Sequence, residues 1–272
     1  MAYDDPERDD ARLLRLTIDA RAQGTFAPDG EFPARSPYIG VAAAIVERVA
    51  GDAPAPRLLV LGGGAYLLPR TFLAAHPRGH VAVVELDPTV VRAARAHFGL
   101  ADDPRLTLVE ADARTALQRD PRLAAPYDAV FLDAFGDVSI PWTLATVEFA
   151  REAKRRLRPG GVFVANVIDA FEPGRLVAAL RATWLEVFAE VDVLGAARDD
   201  GRLVNFVLVG SDARRTWAGL ARASEAGPEP CVRYRRDELD AVARRVGARP
   251  LRDDFAPVEH LVRETVARTL GR

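Results

Sequence analysis

The chain has 272 residues, 49% of them hydrophobic and 28% charged, and a formal net charge of −2. That length suits one large α/β domain, or a core domain with a small appendage, and the apolar share is enough for a full core. A charge so near zero gives no reason to expect nucleic acid or an anionic membrane as partner.

Residues 1–12, MAYDDPERDDAR, are acidic and polar and are expected to be frayed. With no apolar run near the length of a membrane span and no N-terminal signal, the chain reads as cytoplasmic. From Leu13 to Phe26 alternating residues, followed by FAPDGEF, suggest one or two short strands with a turn at Pro28-Asp29-Gly30. Apolar residues at helical spacing then run from Tyr38 to Val49 and stop at Gly51. These residues predict an N-terminal β-hairpin with a lead-in helix over 1–50, ahead of one larger domain over 51–272.

The larger part alternates strand and helix. Leu58–Leu61 is a short apolar run, followed by Gly62, Gly63 and Gly64 and a helical pattern over Tyr66–Ala75. Val81–Glu85 is a second strand that ends on an acid, and Pro88–Phe98 a second helix. A strand over Leu106–Val109 leads to Asp112 and a short helix to Arg119. Ala129–Leu132 ends on Asp133, and a loop through Pro141 reaches a helix over Thr143–Leu157, stopped by Arg158-Pro159-Gly160-Gly161. A strand over Val162–Val167, a helix over Leu176–Trp184, strands near Val191 and over Leu203–Val209, and a helix over Arg236–Val246 complete the pattern. Such alternation predicts α/β class: a doubly wound, mostly parallel sheet.

In a sheet of this kind ligands lie beyond the carboxyl ends of the strands. The groups placed there are the Gly62–Gly64 turn, whose backbone can approach a ligand, with Glu85, Asp112, Asp133 and Asp169. Glu85 after a glycine turn suits a ribose. Asp112 fits either a helix cap or an adenine contact, and Asp169 fits a cap. Asp133 follows four apolar residues, where a carboxylate is costly without a partner or a task, so it is the prime candidate for a catalytic or substrate-orienting role. His76, His80, His97 and His260 are scattered and Cys231 is the sole cysteine, so neither a metal site nor a disulfide framework is expected. Ser139 and Cys231 have no recognisable base partner. Lys154 is the sole lysine among 37 basic residues, which with the many Ala, Arg and Pro suggests a GC-rich bacterial genome.

Taken in order, LVLGGG, VVELD, DPRLTLVEADA, YDAVFLDAF and LRPGG resemble the class I S-adenosylmethionine-dependent methyltransferase fold. More narrowly they resemble the polyamine aminopropyltransferase (spermidine synthase-like) family, as does the tail RDDFAPVEHLV. The front section with Gln23 and Tyr38 is similar to the segment that precedes the family's core, so the resemblance runs from Gln23 to Val262. It implies that Gly62, Gly63 and Gly64 approach the nucleoside thioether, that Glu85 holds the ribose and that Asp112 with Ala113 meets the adenine. Asp133 would match the family's catalytic aspartate, with Gln23, Tyr38, Phe135 and Trp142 about the substrate pocket. The implied donor is decarboxylated S-adenosylmethionine, or S-adenosylmethionine itself, the acceptor an amine or related small molecule, and the assembly a homodimer joined through the front strands, with no metal, nucleic acid or membrane.

Four positions depart from the family pattern. Ala65 stands where the family has an aspartate, Ile39-Gly40 where it has His-Glu, and Gly136 interrupts its second aspartate, with Asp137 displaced by one. Asp137, Glu148, Asp253 and Asp254 are candidates to compensate. These losses keep alternatives in view: a methyltransferase acting on a less charged small acceptor, a non-catalytic nucleoside-binding homologue, and, more remotely, a nicotinamide dehydrogenase, whose fingerprint is broken at Leu67.

Overall fold

The computed structural model describes residues 2–4, 12–18, 21–26, 37–51, 53–136, 139–196, 203–217, 220 and 231–270. At the front, β1 (Ala2–Asp4), β2 (Arg12–Ile18) and β3 (Arg21–Phe26) form an antiparallel sheet in that order. Ala2–Asp4 and Arg12 are therefore strand, not frayed ends. Their register, Ala2 opposite Leu14 and Asp4 opposite Arg12, rests on backbone hydrogen bonds, which a polar sequence supplies as well as an apolar one. The expected turn at Pro28-Asp29-Gly30 lies outside the described residues.

Helix α1 (Pro37–Ala50) begins on a proline, whose missing N–H is no loss in a first turn. Its Val41, Ala42, Ile45, Val46 and Val49 are buried against the second, larger sheet. The strands of that sheet and the helices between them, in chain order, are β4 (Arg57–Leu61), α2 (Leu67–Ala75), β5 (His80–Glu85), α3 (Pro88–His97), β6 (Leu106–Glu110), α4 (Ala113–Arg119), β7 (Tyr127–Leu132), α5 (Val147–Arg155), β8 (Leu157–Asp169), α6 (Arg175–Leu185), β9 (Glu190–Ala196), β10 (Val204–Ser211), β11 (Cys231–Arg233), α7 (Arg236–Val246) and α8 (Val258–Leu270). The spatial order is β11-β9-β10-β8-β7-β4-β5-β6, with β4 to β8 parallel and β9, β10 and β11 antiparallel. The chain order reverses direction at β4, which places a crevice at the ends of β4 and β7.

Side-chain alternation divides the core into two layers. Leu58, Val60, Ala129 and Phe131 face α1, α2 and α3, whereas Leu59, Leu61, Val130 and Leu132 face α4, α5, α6 and α8. On the second face Phe163 stacks on Trp184 with ring centroids 4.2 Å apart.

Three local expectations are corrected. Helix α5 begins at Val147, because the Thr146 hydroxyl accepts from Phe149 N at 3.3 Å and caps it there, while Trp142–Leu144 is a separate 3-10 turn. The Pro159-Gly160-Gly161 stretch does not precede β8 but bulges inside it: Tyr127 pairs with Leu157 and Ala129 with Val162. Helix α2 starts at Leu67, since Tyr66 holds the left-handed conformation (φ 56°, ψ 28°) just before it.

β11 and α8 have no counterpart in the sequence reading. α8 is reached through the RDDF turn, where Val147 N donates to Leu251 O (2.9 Å) and Leu251 N to Thr183 Oγ1 (2.8 Å). Asp253 is clamped there by Arg114 and accepts from Thr146 Oγ1 at 2.7 Å. No described helix is long and apolar enough to cross a membrane.

Gly62 ends β4 at φ +104°, and a Cβ built on it would lie 2.3 Å from the carbonyl oxygen of Asp133. Gly62→Ala is therefore expected to destabilise the protein by at least about 2 kcal/mol, a loss read from the urea midpoint at unchanged slope.

Candidate active site

The glycine turn is held by its own backbone N–H groups, one bonded to backbone and one to a side chain. Gly62 N donates to Val84 O at 2.8 Å, so the turn begins in register with β5. Gly63 N donates to Glu85 Oε2 at 2.7 Å, and the other carboxylate oxygen accepts from Asp87 N at 2.9 Å. Glu85 is thus fixed at the end of β5 with both oxygens still able to accept further bonds. Behind the turn lies Tyr66, fully buried, its ring so close to Gly63 that a Cβ there would meet it at 2.6 Å. Among the described residues the Tyr66 hydroxyl has no hydrogen-bond partner. Burial, and then the charges of Glu85 and Glu110, push its pKa well above the ordinary value.

Asp133 follows six buried residues of β7 and starts the loop beyond the sheet. Its N–H donates to Leu61 O at 2.9 Å, which sets its backbone beside Gly62. The side chain is half-buried and receives two donors. Tyr38 Oη, from α1, donates to Oδ2 at 3.2 Å, and Asn166 Nδ2, from β8, to Oδ1 at 2.8 Å. Asn166 in turn accepts from Asn205 Nδ2, on β10, at 2.9 Å. Burial raises Asp133 to about 6, against the two hydrogen bonds that favour its charged form. Tyr38 moves further up, through burial first and then the charge and hydrogen bond of Asp133. At neutral pH the pair is therefore a carboxylate and a phenol, an arrangement able to take up a proton.

The remaining predicted residues divide. Asp112 is exposed and accepts from Thr115 N at 2.8 Å, capping α4, and Ala113 is buried beside it. Phe135 is half-buried against the core, whereas Trp142 is 44% exposed. Gln23 lies in β3, its side chain outside the described residues, as is Asp137. Gly136 N bonds Ser139 O at 3.1 Å and closes the loop after Asp133.

Ala65 is buried in a small apolar cluster with Leu67 and Phe98, against which Ile39 packs, so two of the departures from the family pattern meet in one place. Asp253 is held by Arg114 and is not free to compensate, while one oxygen of Glu148 accepts from Asp253 N. Asp169 caps α6, its carboxylate accepting from Ala170, Leu176 and Val177 N–H, and burial lifts it to about 6. Among the described residues no group of three His, Cys, Asp or Glu could hold a metal.

The sequence reading overlooked Tyr66, Asn166 and Asn205. Tyr66 comes directly after the glycines and Ala65, and Asn166 interrupts the apolar run Val162–Val167, which was the available signal. Nothing local marks Asn205.

Residues 42–197, more than half of the chain, match the family described as the spermine/spermidine synthase domain. The chain belongs to this family. It is 34% identical over 134 residues to a polyamine aminopropyltransferase from Vibrio vulnificus, a match covering 49% of this chain and 44% of that protein. The chain spans less than half the length of the curated relatives it matches. A crystal structure of a probable spermidine synthase from Corynebacterium glutamicum superposes with a TM-score of 0.76 at 26% identity, over 93% of this chain and 92% of that one. A spermidine synthase in complex with the transition-state analogue AdoDATO shares the fold, with a TM-score of 0.55 at 16% identity over 88% and 85% of the two chains. The expected Rossmann-like sheet of the methyltransferase type is thus the fold of this chain.

Because Asp133 is lifted from 3.8 to about 6 on folding, its charge opposes the fold. The fold is unaffected below about pH 4 and weakened as pH rises through 6. Asp133→Asn is expected to raise stability at pH 7.5 by on the order of 2–3 kcal/mol, and by nothing near pH 3.5, in paired denaturant titrations.

Proposed function

We propose that this chain is a transferase that moves an aminopropyl group from decarboxylated S-adenosylmethionine to an amine acceptor. The observation that carries this reading is the Asp133 carboxylate, poised near 6 on a residue whose main chain packs directly against Gly62 of the glycine turn. A base for the acceptor and a cradle for the donor share one contact.

The residues fit a nucleoside donor. The outer face of Gly62–Gly64 lets backbone approach it, Glu85 presents carboxylate oxygens to a ribose diol, and Asp112 with Ala113 borders the adenine end. When bound, the donor supplies a carbon activated by its neighbouring sulfonium. The acceptor nitrogen forms the new N–C bond as the C–S bond breaks and its electron pair returns to sulfur. The amine proton passes to Asp133, which hands it to water.

An amine near pKa 10 is mostly protonated at neutral pH, so a carboxylate at the reacting nitrogen both orients it and accepts its proton. Tyr38 stays protonated and holds one carboxylate oxygen in place, and Phe135 and Trp142 add apolar walls to the acceptor side. Gln23 is assigned to the same pocket. The cluster of Ala65, Leu67, Phe98 and Ile39 offers no charge to a donor ammonium at that point, and the apolar Phe135 and Trp142 favour a less charged acceptor. We assign the protein to the cytoplasm of a bacterium, as a homodimer joined through β1, β2 and β3; a purely monomeric sedimentation profile would contradict the dimer.

Calorimetric titration with S-adenosylmethionine and with its decarboxylated form tests the donor. Tighter binding of the decarboxylated form is expected. Preference for the intact form would place the protein among methyltransferases, and binding of neither would overturn both readings. With a competent acceptor, Asp133→Asn is expected to lower kcat by about 10²–10⁴-fold with donor affinity little changed. In the unmodified enzyme kcat/KM should fall as pH drops through about 6, where Asp133 is protonated. A flat profile between pH 5 and 8 would remove Asp133 from the proton transfer.

A further inference from the structure

The polar contacts of Asp133 do not stop at its first partner. Asn166 is 1% exposed, yet both ends of its amide are used: Nδ2 donates to Asp133 and Oδ1 accepts from Asn205. β8 and β10 are antiparallel neighbours, with Asn166 opposite Val207 and Asn205 opposite Ile168. The two amides are therefore diagonal neighbours on one face of the sheet, a spacing from which long side chains meet.

A carboxamide can face either way, because half a turn exchanges its acceptor for its donor. A carboxylate only accepts. Asn166 must then aim its NH₂ at Asp133 and its carbonyl at β10, and that buried carbonyl needs a donor. Asn205 supplies one.

We propose that Asn205 and Asn166 form an amide relay that positions the Asp133 carboxylate and holds it ready to accept a proton, with Asn205 deciding which way Asn166 faces. The proposal rests on the reading of Asp133 as the proton acceptor, and both asparagines are positioning residues. Without Asn205 the buried carbonyl of Asn166 loses its partner, and the amide can satisfy it only by turning away from the carboxylate. An oxygen facing Asp133 would then raise its affinity for protons.

The surroundings of Asp133 leave few other levers. Tyr38, from α1, is the titratable group facing the carboxylate among the described residues. Asn166, from β8, is uncharged, and Gly62, at the end of β4, presents only backbone. The amide bond and the phenol both pull the carboxyl down from the level that burial alone would set.

The test tracks the ¹³Cγ resonance of Asp133 with pH in the full chain without substrate, assigned by its loss in Asp133→Asn. Asn205→Leu is expected to move the midpoint up by about one pH unit, and Asn166→Leu by at least as much. The double variant should shift no further than Asn166→Leu alone, since Asn205 acts through Asn166. Asn205→Asp is nearly isosteric and guards against a folding defect in the leucine variant. Accepting only, it should turn the Asn166 amide and raise the midpoint by more in the presence of Asn166 than in its absence. An unchanged midpoint in both Asn205 variants overturns the relay. So does an Asn205→Leu shift that adds in full to that of Asn166→Leu. Should the titrations behave as expected while the enzyme transfers no aminopropyl group, the proposed function falls and the relay stands.

Discussion

Two strand ends touch at the centre of this protein with no side chain between them. Asp133 N bonds the carbonyl of Leu61, and Gly62 leaves space for the carbonyl of Asp133 that any larger residue would fill. That contact fixes how β4 and β7 finish, and the loop leaving each strand inherits its position from it. On one side the chain turns through Gly63, whose N–H pins Glu85. On the other it presents the Asp133 carboxylate to Tyr38 and Asn166. The crevice is thus a product of backbone packing in the middle of the sheet, where parallel strands buried on both faces have little freedom to shift.

Around this contact two aspartates, Asp133 half-buried and Asp169 buried, share similar acidity but not similar surroundings. Asp169 is satisfied by the N–H of its neighbour Ala170 and by two N–H groups in the first turn of α6, so its charge serves the helix start. Asp133 is held by a phenol and an amide from two other elements, and neither is a formal charge. A cation beside it would have lowered its pKa and made it a poorer base; uncharged donors orient it and leave it near 6. The ion pairs among the described residues lie elsewhere. The Arg114–Asp253 clamp joins α4 to the RDDF turn, and partly exposed pairs such as Lys154–Asp212 add little stability.

Much of this was legible in the sequence because the signals were local. Leu58–Leu61 and Val81–Val84 are apolar runs flanked by turn residues, so the strands, the glycine turn and Glu85 could be placed without tertiary information. Asp133 stood out because a charge after a buried run needs a reason. The features that escaped notice depend on partners distant in sequence. Asn205 is an ordinary polar residue until β10 lies beside β8, and Asp253 looks solvated until Arg114 arrives from α4. β11 and the front strand β1 are each only three residues long, too short for a periodic signal, and the pairing of β1 is a matter of backbone. Tyr66 is a different case. Its left-handed backbone favours glycine, and no propensity rule places a buried tyrosine there.

The family-matched segment, residues 42–197, contains the glycine turn, Glu85, Asp133 and Asn166, but neither Tyr38 nor Asn205. The matched module thus carries the carboxylate and its first amide, while the phenol and the far end of the amide chain lie outside it. Two relatives with identical modules could differ in the acidity of the same aspartate because their flanks differ. Conservation across the module is therefore an incomplete guide to chemical equivalence, and function should be transferred between members only after the residues at positions 38 and 205 have been compared.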